Sequence, residues 1–270
     1  MKTGFRIFLG AFVAFGLSWC GFVLGPILQL GTLGQTTVLN SSDIYPNQRP
    51  GDATLGLQVY RSSGCAACHT TQVGQHGVVC DVVLTGAGNN PAAVNKLIST
   101  LTLTNLTKDE ADAISGQIST AGGKTETHIR PIGPDIERGW GMRHSVAEDF
   151  LWDNPVQLGS IRVGPDLANV GMRYDLNWQL LHLYAPQSKV QNSMMPSFRF
   201  LFNVQKIGAT PSPDALQLPA GFGPPAGEEV VPSEDAKNLA AYLVSLRADV
   251  ALHDAPFTTP SAHAAGTQKK

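Results

Sequence analysis

Cys65-Ala66-Ala67-Cys68-His69 is the densest chemical signal in the sequence. Two thiols three residues apart, with an imidazole directly after the second, could close a disulfide, supply half of a zinc site or hold a prosthetic group. A structural zinc site would need a second ligand pair at matching spacing, and no second Cys-x-x-Cys occurs. A dithiol redox motif would follow a strand in a βαβ context and would have no use for the histidine. The string reads instead as covalent attachment of one c-type haem, with Cys65 and Cys68 forming thioethers and His69 becoming the proximal iron ligand. Cys20, Cys80 and His76 are expected to be packing or solvated residues and not ligands.

A sixth ligand must come from elsewhere in the chain. The internal candidates are Met142, Met172, Met194, Met195, His128, His144 and His182. A thioether favours the ferrous state and raises the potential relative to two histidines. Asn192-Ser193-Met194-Met195-Pro196-Ser197 has the character of a ligand-bearing loop well downstream of the attachment motif. Met195 is the choice because a residue before proline is held extended. Gly164-Pro165-Asp166-Leu167, followed by Gly171-Met172-Arg173-Tyr174, resembles the general cytochrome c pattern. There the carbonyl of the proline accepts a hydrogen bond from the proximal histidine ring, which implies that role for Pro165. Arg173 is expected to neutralise a haem propionate, and Tyr174 and Trp178 to donate hydrogen bonds to the same groups. For Trp178, plain core packing is an equal alternative.

These residues need a frame. Thr54 to Ser62 reads as a helix leading into the attachment motif, with Gly56 and Tyr60 on one face. Ser233 can cap a second helix running to Arg247, with Glu234 and Asp235 in its first turn and Leu239, Tyr242, Leu243 and Leu246 as its apolar stripe. A small-plus-aromatic helix crossing a C-terminal aromatic helix is the frame of small cytochromes c. Between them, residues 74–127 read as an insertion: a strand over Val78 to Leu84, then helices over Pro91 to Ser99 and Lys108 to Ser119. In shortened form this stretch resembles the C-terminal domain of the bacterial ribosomal stalk protein, through Asp81-Val82-Val83-Leu84-Thr85-Gly86-Ala87-Gly88, Thr107-Lys108-Asp109-Glu110-Ala111 and Ala121-Gly122-Gly123. No ribosomal role is inferred from it.

Ile7 to Leu28 carries no charge over about 22 residues, enough at about 1.5 Å per residue to span a hydrocarbon core of about 30 Å. Lys2 and Arg6 precede it, and no Lys or Arg follows until Arg49. That asymmetry places the N-terminus in the cytoplasm and the rest in the periplasm of a bacterial inner-membrane protein. A cleaved signal peptide would have a shorter apolar run and a small-residue cleavage site. A lipidated Cys20 would not follow the bulky Trp19. Residues 32–52, rich in Gly, Thr, Ser, Asn and Pro, read as a linker, and 251–270 as a flexible tail. With 21 Asp plus Glu against 19 Lys plus Arg, the net charge of -2 offers no footprint for nucleic acid. The fold class expected is mainly α: a transmembrane helix (1–31), then a cytochrome c domain (53–73 and 128–250) interrupted by a small α/β module.

Several stretches together resemble one family, the membrane-anchored monohaem subunit II (CcoO family) of cbb3-type cytochrome c oxidases. They are Gly56-Leu57-Gln58-Val59-Tyr60, Gly64 to His69, His128-Ile129-Arg130-Pro131-Ile132, Trp152-Asp153-Asn154-Pro155, Gly159 to Ala168, Val170 to Tyr174, His182-Leu183-Tyr184-Ala185-Pro186 and Met195-Pro196-Ser197. The resemblance implies an electron-relay role. Electrons would arrive from a soluble or diheme cytochrome c and leave to a haem–copper catalytic subunit in the membrane, where oxygen is reduced. It also implies that Arg130 and Arg162 could meet a propionate or the partner surface. The sequence departs from the family in its 74–127 module and in Ile132, where the family has Phe. The alternatives are the monohaem subunit of a nitric oxide reductase, and a haem sensor or peroxidase with an open sixth site.

Overall fold

The computed structural model describes residues 2–31 and 33–252; of the tail read at 251–270, residues 253–270 lie outside the described residues. The N-terminal segment is helical throughout, as α1 (Lys2–Trp19), a π-helical stretch (Cys20–Leu24) and α2 (Gly25–Leu30). Pro26 explains the widened stretch. It has no N–H to offer the preceding turn, and its ring displaces the carbonyl it would face. The Gly25 N–H accordingly reaches back to Cys20 O, five residues away. Thr3–Gln29 is long and apolar enough to cross a membrane, and none of it is buried within the chain. Phe5, Phe8, Phe12, Phe15, Trp19 and Phe22 all stand exposed, a surface suited to lipid or a partner helix and not to water.

The segment read as a linker is tied to the body. It forms a small antiparallel pair, β1 (Thr36–Thr37) and β2 (Ile44–Tyr45). The buried Tyr45 donates its hydroxyl to Asp149 Oδ1 at 2.6 Å, with Arg247 O at 3.1 Å. Trp152 Nε1 donates to Pro46 O, and Arg49 pairs with the buried Asp153 while lying over the Tyr242 ring. Composition showed the turn residues of this segment but not the long-range partners.

α3 (Gly51–Ser62) and α9 (Glu234–Ser245) cross as the sequence predicts. The crossing is tight because Gly56 has no side chain: a Cβ there would lie 1.9 Å from Asn238 O. The Tyr60 and Tyr242 rings meet at 5.2 Å beside it. Ser233 caps α9 by accepting the Ala236 N–H, but the helix stops at Ser245, short of Arg247. Leu246 turns out to an extended conformation, buries its side chain and gives its carbonyl to the Gly171 N–H. Leu57, Leu167, Leu180, Leu183, Leu239 and Leu243 complete this core.

The insertion is a separate layer with its own core. β3 (Gly77–Gly86) pairs antiparallel with β4 (Lys124–Ile132), and α4 (Pro91–Ile98) and α5 (Lys108–Thr120) lie between them in sequence. Alternation along β3 turns Cys80 and Val82 inward, to pack with Val94, Leu106, Ala111 and Ile118. Asn90 caps α4, and Thr107 and Glu110 form a reciprocal capping box on α5. The boundary read at 127/128 falls inside β4, so Arg130 belongs to this hairpin. The body resumes with α6 (Pro134–Glu137), α7 (Val170–Arg173), α8 (Leu176–Tyr184) and the antiparallel pair β5 (Phe202–Lys206) and β6 (Glu228–Pro232).

Candidate cofactor site

α3 ends at Ser62, and Gly64 takes the left-handed conformation (φ 71°) that turns the chain out of the helix. A single 3-10 turn, Cys65–Ala67, follows. Cys68 and His69 both donate their N–H groups to Cys65 O, so both thiols and the imidazole issue from one tight loop. All four cysteines are free thiols. Cys65 packs half-buried against the main core, and burial pushes its thiol up to about 11. Among the described residues, no cluster of three or more His, Cys, Asp or Glu side chains could hold a metal ion.

His69 is held from behind. Its Nδ1 lies 2.8 Å from Pro165 O, which fixes the ring and leaves Nε2 free. The chain that carries Pro165 approaches so closely that glycine is required twice. A Cβ on Gly164 would sit 2.3 Å from His69 Cε1, and one on Gly159 would sit 2.1 Å from His69 O. The Gly164 N–H also donates to Cys68 O at 2.9 Å. Sequence reading placed Pro165 here but did not find the role of these glycines; the only signal available was that Gly164 stands just before a proline.

Met195 packs against the same apolar cluster as Cys65, Ala66 and Tyr174, in a loop that begins at the left-handed Asn192. Its N–H donates to Ser193 Oγ at 3.2 Å. Its neighbour Met194 is 80% exposed, and Met172 stands exposed on α7. His128 lies on β4 opposite Asp81, and His144 Nδ1 lies 3.0 Å from Gln75 Oε1. Cys80 is buried within the module, and His76 is exposed.

Arg173 and α8 form a second wall. Arg173 donates from Nη2 to Asp166 O at 2.6 Å, yet its buried Nε has no partner. Burial lowers its guanidinium pKa and outweighs the opposing effects of Tyr174 and Asp166. Tyr174, Trp178 and His182 stack in a column, with ring centroids 3.6 Å and then 4.5 Å apart. His182 Nδ1 is buried without a partner, and burial, aided by His69 and Lys189, pushes this histidine down to about 4. Ile161 and Val163 beside the His69-contacting loop, and Met194 and Phe200 on the Met195 loop, leave apolar surface open.

These features fit a covalently held haem. Paired thiols, an oriented imidazole, a thioether packed on the same apolar cluster as Cys65, open apolar surface and a guanidinium whose buried Nε has no partner are what a large apolar ring bearing carboxylates would complete. Arg130 and Arg162 are committed elsewhere. Arg130 binds Asp81 and Asn105 within the module, and Arg162 binds Asp135 and Thr70.

Residues 124–250 match a family model described as cytochrome c oxidase, mono-heme subunit/FixO. No curated protein matches the chain.

Proposed function

We propose, from the match of residues 124–250 to the mono-heme subunit family of cytochrome c oxidases, that this chain is the electron-relay subunit of a cbb3-type haem–copper oxidase. The observation that carries the proposal is His69 Nδ1 at 2.8 Å from Pro165 O, directly after a loop that presents two free thiols. Cys65 and Cys68 would hold the haem covalently, and His69 and Met195 would be its axial ligands. Bound there, haem c supplies a one-electron ferric–ferrous couple.

The protein's own groups set the properties of that couple. The Pro165 carbonyl orients His69 and makes it a stronger donor. Arg173 offers the propionates a buried positive charge whose Nε is otherwise unpaired, and Tyr174 and Trp178 line the same wall. The Met195 thioether favours the reduced state relative to a second imidazole. The N-terminal helix would anchor the chain in the bacterial inner membrane beside the catalytic subunit. The charge asymmetry of Lys2 and Arg6 would leave residues 33–252 in the periplasm, where a diheme or soluble cytochrome c can deliver electrons.

The test is haem retention by the full-length protein after denaturation. The wild type keeps one haem through denaturing electrophoresis. Cys65→Ser/Cys68→Ser loses it, and co-purification with a haem–copper subunit identifies the complex. A chain that carries no covalent haem when matured in an exporting host would overturn the reading.

A further inference from the structure

Behind His69 lies a polar network that no step described so far uses. Asp166, fully buried, accepts hydrogen bonds from Thr70 Oγ1, from the Gln72 N–H at 2.9 Å and from the Ala168 N–H at 2.8 Å. Asp166 directly follows Pro165, so these bonds lock the acceptor of the His69 ring to the backbone that continues from His69. Arg162, whose side chain is 35% exposed, then binds this pair from outside. Its Nε donates to Thr70 Oγ1 at 2.8 Å, its Nη2 to Gln72 O, with Asp166 Oδ2 at 3.5 Å, and its Nη1 to Asp135 Oδ1 at 2.8 Å. Asp135 is itself buried and accepts the Gly74 N–H at 2.7 Å. Gly74 and Asp135 sit at the two ends of the inserted module, where the His76 N–H also meets Ile132 O at 2.8 Å.

We infer that Arg162, held by Asp135 at the root of the module, is a positioning residue for the proximal ligand: it fixes Pro165 against His69 Nδ1 through Thr70 and Asp166. The inference rests on the proposed haem site. Its physical basis is the planar guanidinium fork, which reaches Thr70 and Gln72 on one segment and Asp135 on another at once; an ammonium cannot hold that geometry. A firm Nδ1–H···O bond gives the ring imidazolate character and favours ferric iron, so loosening it raises the potential.

Arg162→Lys separates geometry from charge, because the charge is kept and the fork is lost. The expected result in the full-length haem-loaded protein is a raised midpoint potential. The His69 Nδ1–H proton, followed by NMR, should exchange roughly tenfold faster, as for loss of one charge-assisted hydrogen bond. Asp135→Asn should reproduce the faster exchange. Arg247→Lys, at an exposed arginine beyond the end of α9, should change neither quantity. If Arg162→Lys fails to load haem, Asp135→Asn decides by the same two readouts. Unchanged potential and exchange in variants that hold covalent haem would overturn the inference and leave the haem site standing. Absence of covalent haem in the wild type would instead overturn the reading beneath it.

Discussion

In the inserted module, Thr107 and Glu110 close a capping box, Asn90 caps the preceding helix, and Val94 and Ile118 fill a core with no exposure at all. In the body around Cys65 to His69, buried polar atoms of Tyr60, Arg173, Gln179, His182 and Tyr242 have no partner, against Ser115 alone in the module. Apolar side chains beside His69 and Met195 also stand open. Buried polar groups without partners are costly, so their concentration in one region is informative. The module is satisfied by its own residues. If the proposed haem supplies contacts that the body's own residues do not, the two regions should respond differently to its loss.

The largest expected effect is that of Cys65→Ser/Cys68→Ser. Covalent haem should be lost entirely, and amide hydrogen exchange should rise by roughly a thousandfold across α3, α8 and α9 while β3, β4 and α5 keep their protection. Equal loss of protection in both regions would abolish the distinction. Ile118→Ala probes the opposite side. It should destabilise the module by about 3 kcal/mol in chemical denaturation and leave the midpoint potential where it was. Gly164→Ala forces a methyl group into the His69 ring and should cost about 2 kcal/mol in the body, with an altered potential. Thr107→Ala should cost about 1 kcal/mol, seen as faster exchange in α5 alone.

The smallest effect concerns pH. Although burial pushes the Asp81 carboxyl up, the Asn105 N–H and the Arg130 guanidinium outweigh it and hold the group below its ordinary value of 3.8. A depressed carboxylate pKa means that the contribution to the hairpin is complete above about pH 4 and fades as pH falls through the depressed value. Exchange in β3 and β4 should accelerate below that point, and Asp81→Asn should remove the dependence.

What was legible in the sequence was local. The Cys65–His69 turn, the cap at Ser233, the strand at Val78 to Leu84 and the apolar N-terminal helix all depend on residues within a few turns of each other. The crossing of α3 and α9 could be read because Gly56 and Tyr60 share a helical face. What stayed hidden depends on residues far apart in the chain. Arg162 meets Asp135 across 27 positions, and Tyr45 meets Asp149 across 104, so the strap at residues 35–49 read as a plain linker. Arg143, fully buried against Asp149, gave no signal because a buried arginine is unusual and its partner lies off any helical or strand spacing. β4 was missed altogether because a proline at 131 argues against a strand, whereas a two-stranded hairpin tolerates it on an open edge.

If a covalent haem is held between His69 and Met195, the most direct test is a spectroscopic redox titration of Met195→His beside the wild type. The account predicts that the variant keeps its covalent haem, takes on the spectrum of a bis-histidine centre and titrates at a much lower midpoint potential. An unchanged spectrum and potential would show that another residue binds the sixth position and would contradict the account.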